Sequence, residues 1–170
     1  MNAYIGLLRA VNVGGTGKLP MTELKAMCEA AGFTRVRTHI ASGNVVFQSA
    51  KTESQAKAAL EAALAKYAGK PVGVMVRTAA EMAAVLANNP FTQMPGNRTV
   101  AIFLDEPPAA DGLEGVSNRK NEVIQVGLRE FYVYYPDGQG ESRLRIPAAR
   151  NGTARNMNTV ATLAEMAANL

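Results

Sequence analysis

Two periodicities alternate along this chain, one of two residues and one near 3.6, and the points where one gives way to the other mark the predicted elements. The apolar run at 4–11 reads as a buried strand. Pro20 then opens a helical pattern with Met21, Leu24, Cys28 and Ala31 on one face, and Gly32 stops it. Polar and apolar side chains alternate over 35–40, Ser42, Gly43 and Asn44 supply turn chemistry, and 45–48 resumes as a strand, so a hairpin is expected. Thr52 with Gln55 three residues on is a capping-box signature, and the stripe Ala56, Leu60, Ala63, Leu64, Tyr67 runs from it until Gly69. Val72, Val74 and Val76 complete the order β-α-β-β-α-β, the ferredoxin-like order.

A second capping pair, Thr78 and Glu81, starts a helix with Met82, Val85 and Leu86 inward, and Asn89, Pro90 and Phe91 break it. The expected organisation is a ferredoxin-like α+β half at 1–77 and a second α+β half at 78–170 that ends in a helix, the two packed as one compact protein. Strands at 98–104, 122–128 and 131–135, a Pro107-Pro108 loop, a turn at 137–140 and a last helix carrying Val160, Leu163, Ala164 and Ala167 echo the opening order. A degenerate α/β-plait copy of the first half is the topological expectation, although no residue-level repeat is visible.

Composition narrows the class. A chain of 170 residues buries about two-thirds of its unfolded surface, enough for a core without metals or disulfides. With 48% hydrophobic and 19% charged residues it is an ordinary globular sequence and not a disordered one. Cys28 is the only cysteine, which excludes an intramolecular disulfide, and the opening MNAYIGLLRAV is strand-like and unlike a secretory leader. Apolar runs fall far short of the roughly 20 residues that cross a bilayer. A cytoplasmic protein without a membrane partner is expected.

Charge points to anions. The net charge is +4, and three stretches lack acids altogether: 1–22 with Arg9 and Lys18, 30–52 with Arg35, Arg37 and Lys51, and 142–158 with Arg143, Arg145, Arg150 and Arg155. A solvated surface with a modest positive excess would give the same count.

Three polar clusters are the candidate sites. Asn12, Gly14, Gly15 and Lys18 lie between the first strand and first helix, where backbone N–H groups can turn toward an anion, yet the glycines match neither a Walker loop nor G-x-G-x-x-G. Glycines that merely permit a tight connection are the competing explanation. In a β-α-β-β-α-β unit strands one and three are antiparallel neighbours, so Arg9 and Asn12 should meet the Ser42 to Asn44 turn in a polar, cationic rim. The third cluster, Arg155, Asn156, Asn158 and Thr159, can cap the last helix, bind a ligand or join the halves. His39 reads as a packed or surface residue and not a base, Cys28 as a buried small hydrophobe, and Phe131, Tyr132, Tyr134 and Tyr135 as core more than as a stacking platform. No catalytic residue, metal site or cofactor is indicated.

Read together, LLRAVNVGGTGKLPM, TRVRTHIASGNVVFQS and GTARNMNTVATL resemble the DUF1697 family over nearly the whole chain. The resemblance implies a compact α+β fold with ferredoxin-like parts and carries over no catalytic residue. The family pattern often has Gln where Ala41 stands and Trp where Met157 stands, so an amide and an indole donor are missing here. The leading expectation is a binding protein for a phosphate-bearing ligand or nucleic acid at the first loop and the hairpin. An enzyme on a small anionic metabolite in a cleft between the halves, and a structural or interaction module, are the alternatives.

Overall fold

The computed structural model describes residues 1–12 and 18–170; the candidate site residues Gly14 and Gly15 lie outside the described residues. Two units emerge, one comprising Met1–Ala83 with Leu163–Leu170 and the other Ala84–Thr162. The first contains β1 (Asn2–Leu8), α1 (Met21–Ala30), β2 (Thr34–Thr38), β3 (Asn44–Ser49), α2 (Glu53–Ala68) and β4 (Val74–Thr78), with an antiparallel sheet in the order β2-β3-β1-β4. The α+β class and the β-α-β-β-α-β element order expected from the pattern are present. Thr52 and Gln55 form both hydrogen bonds of the capping box, and Gly69 ends α2 in the left-handed conformation. Leu24 and Cys28 of α1 and Leu60 and Leu64 of α2 share one core with Tyr4, Leu8, Val45 and Phe47 of the sheet.

The second unit contains β5 (Thr99–Phe103), β6 (Val123–Val126), β7 (Glu130–Tyr134) and β8 (Thr153–Asn156) in the antiparallel order β6-β7-β5-β8, the same order as the first sheet. Helix α3 (Ala79–Ala87) follows β4 directly, and α4 (Met157–Ala168) follows β8. The repeat extends to register. Tyr4 of β1 faces Phe47 and Thr78, and Val100 of β5 faces Val133 and Asn156. The Leu8 N–H donates to Gly43 O at 2.8 Å, and Leu104 N–H to Arg129 O at 2.9 Å. Arg77 and Arg155, both buried, hold matching positions, and the residue after each caps the next helix: Thr78 Oγ1 accepts from the Glu81 N–H, and Asn156 Oδ1 from the Thr159 N–H. What differs is the connections. Segments 104–122 and 135–152 contain no α-helix; the second has only the short 3₁₀ turns Gln139–Glu141 and Pro147–Ala149.

Two elements depart from the sequence expectation. The first strand stops at Leu8 and not at residue 11, because the chain bends and Ala10 and Asn12 take φ of 55° and 56°. Strand β8 was not expected, since Thr153 to Asn156 show no apolar alternation; its inward positions are Thr153 and Arg155. Among the described residues, no helix is long and apolar enough to cross a membrane.

Candidate functional site

The connection after β1 and the β2–β3 hairpin do meet. Leu7 pairs with Asn44, and the Asn12 amide donates to Ala41 O at 2.8 Å and Leu19 O at 2.9 Å while its Oδ1 accepts from the Leu19 N–H at 2.7 Å. Asn12 thus ties the two ends of its own loop to each other and to the hairpin. Gly43 is required beside it: its φ is 89°, and a β-carbon there would lie 2.6 Å from Val11 Cγ2. Asn44 is fully enclosed, its amide donating to His39 O and Ser42 Oγ. Asn44 therefore lies beneath the surface and not in the rim expected from the sequence, while Ser42 is half-buried.

Arg9 and Lys18 face a different neighbour. With Val11 and Leu19 they line an open depression of about 670 Å³ whose opposite wall is the end of α2 and the segment leading to β4, including Leu64, Tyr67, Lys70 and Val72. The Arg9 N–H donates to Gly73 O at 2.9 Å, and the side chain lies 3.7 Å from where a Gly73 β-carbon would stand, which holds the guanidinium stem along this wall. Among the described residues, three cations and no carboxylate line the pocket. Lys18 and Lys70 have no ion pair among the described residues. Tyr67, 47% exposed, offers a ring face, and Val11, Leu19 and Leu64 form an apolar floor. Such a donor set suits an anion with a planar or apolar body, not a metal ion.

Sequence reasoning missed Tyr67 and Lys70. The helical spacing puts Tyr67 on the apolar stripe of α2, but it lies in the last turn and is exposed, and Lys70 follows the Gly69 cap. Asn12, Ser42 and Asn44 are not among the pocket's lining residues.

The third cluster belongs to the second unit. Arg155 is buried, its guanidinium donating to Thr153 Oγ1 at 2.6 Å and Ala154 O at 2.9 Å, and burial lowers its pKa to about 10. Asn156 caps α4, Thr159 is buried, and exposed Asn158 packs so closely on Gly96 that a β-carbon there would meet its Oδ1 at 2.1 Å. Phe131, Tyr132 and Tyr135 are buried as core residues, and the Tyr132 hydroxyl donates to Val85 O. A second depression, of about 680 Å³, mixes Arg119, Lys120 and Arg143 with Glu122, Asp137 and Glu141. Its opposed charges give no net pull on an anion. Glu122 fastens that region: the Ser142 hydroxyl donates to its carboxylate, as does the Lys120 N–H at 2.6 Å, and these bonds lower its pKa to about 2.

A family model described as "Protein of unknown function (DUF1697)" matches residues 1–133, which takes in the first two polar clusters and ends within β7. A solved structure described as a conserved bacterial protein, SP0830 from Streptococcus pneumoniae, is similar with a TM-score of 0.78 and 25% identity, covering 97% of this chain and 98% of that one. A search of curated proteins found no match.

Proposed function

The chain belongs to the DUF1697 family of proteins of unknown function, and we propose that its first unit binds a small phosphate-bearing ligand, a nucleotide in class, in the depression between the β1 loop and the end of α2. One observation carries this reading: Arg9, Lys18 and Lys70 converge on a partly apolar pocket that has an exposed tyrosine ring and no carboxylate among its described lining residues. Phosphate would engage the cations while a base stacks on Tyr67 against the Leu64 and Val72 side. The pocket volume lies within the range that encloses a ligand of nucleotide size. Asn12 and Gly43 serve the site by fixing the loop against the hairpin and so placing Arg9 and Lys18.

Isothermal titration with ADP and with a single-stranded oligonucleotide, at low and moderate salt, tests this. Lys18→Ala or Lys70→Ala should each weaken ADP by about tenfold, the loss of one charge-assisted contact, and added salt should weaken it further. Oligonucleotide binding with a steeper salt slope would move the ligand class to nucleic acid. Absent or salt-insensitive binding of both would contradict the proposal.

A further inference from the structure

The repeated sheet register exposes a second place for a ligand. In the first unit, α2 covers the sheet so closely that a β-carbon on Gly6 would stand 3.2 Å from Leu60 Cδ2. Gly6 pairs with Val45, and its register counterpart in the second sheet is Ile102, which pairs with Phe131. No α-helix lies in the 104–122 and 135–152 connections of that unit. The matching face, with Val100, Phe131 and Val133, is covered instead by side chains of the irregular segments, among them Val116, Leu144 and Ile146. A helix with its side chains is about 10–12 Å across, and thin segments do not replace that bulk. Ile102 is accordingly only half-buried and opens onto a cavity of about 620 Å³.

The cavity has one sign of charge. Its apolar wall includes Ile102, Leu144 and Ile146, and exposed Arg145 and Arg150 are its charged groups, with no carboxylate among the lining residues. Arg145 is fixed in place because it exchanges two backbone hydrogen bonds with Ser117, both at 3.0 Å. We propose that this cavity is a binding site for an amphipathic monoanion, a carboxylate on an apolar chain or ring. The apolar body lies on Ile102 and Ile146, in the space that a covering helix fills in the first unit, and the carboxylate meets Arg145 and Arg150.

The test is titration calorimetry with decanoate below its micelle concentration, set against decanol and decyltrimethylammonium, which share the chain and lack the anion. Decanoate should bind and the two controls should bind at least about tenfold more weakly. The exposed double variant Arg145→Gln/Arg150→Gln should weaken decanoate by about tenfold and leave decanol unchanged. Ala149→Trp, which fills the lining, should weaken decanoate with both arginines in place. Urea midpoints of each variant confirm folding, and if Ala149→Trp does not fold, the arginine pair decides. Equal binding of all three amphiphiles, or decanoate binding unaffected by the arginine changes, would overturn the proposal. So would loss of decanoate binding in Lys18→Ala/Lys70→Ala, which would place decanoate in the first unit's pocket. Failure of ADP to bind leaves this result independent.

Discussion

Replacing Gly43 by alanine tests the joint on which the first pocket rests. Gly43 has φ of 89°, and an added β-carbon would lie 2.6 Å from Val11 Cγ2 and 2.9 Å from Leu8 Cβ. Leu8 is strand backbone neighbourhood and Val11 belongs to the loop that carries Arg9, so neither contact is the free end of a long, flexible side chain. Gly69 supplies the control, because its φ is 72° but nothing lies within 4 Å of its β-carbon position. Both substitutions incur the left-handed cost of roughly 1–2 kcal/mol, and Gly43→Ala adds overpacking of about 1–3 kcal/mol. The expected losses are about 1–2 kcal/mol for Gly69→Ala and about 2–5 kcal/mol for Gly43→Ala. Urea unfolding followed by circular dichroism measures both. Equal losses would refute the close seating of the hairpin on the β1 loop, and with it the reason that Arg9 and Lys18 are held where they are.

Three further outcomes follow from the same coordinates. Asn12→Ala removes one hydrogen bond to the hairpin, at Ala41, and two that close its own loop at Leu19 and should cost about 1–3 kcal/mol by urea unfolding; the same variant should weaken ADP. The Glu122 carboxyl is lowered from 4.5 to about 2, first by the Ser142 hydroxyl and then by the Lys120 N–H. Its depressed folded-state pKa contributes stability that is present above the ordinary value and lost as pH falls toward 2; urea midpoints measured across that window should fall more steeply in the parent than in Glu122→Gln, and identical slopes would contradict the assignment. Burial, with Glu29 adding to it, raises the Cys28 thiol to about 12. It should therefore resist a disulfide reagent at pH 8 in the folded state and react at once in urea, and fast native labelling would contradict its place on the inner face of α1.

Much of the fold was legible because its signals are local. The capping pairs Thr52/Gln55 and Thr78/Glu81 and the α1 stripe ending at Gly32 gave α1, α2 and α3 within a residue or two, and the hairpin followed from Ser42 and Gly43. Strand β8 was hidden because its buried positions are Thr153 and Arg155, polar residues whose burial depends on partners distant in the chain. The repeat between the two units was legible in the element order but not residue by residue, because Tyr4 and Val100, or Gly6 and Ile102, share register but not side-chain type. Topology brought the β1 loop to the hairpin as expected. It could not show that Asn12 and Asn44 would bond to groups of their own loop and hairpin, nor that Lys70 and Tyr67 would complete the wall opposite Arg9.

The most direct measurement is a two-dimensional amide NMR titration of the intact chain with ADP. The account predicts saturable shifts concentrated at Arg9, Lys18, Tyr67, Lys70 and Gly73, with those around Arg145 and Ile146 unmoved. No saturable shift, or shifts that appear only around the second unit's cavities, would contradict it.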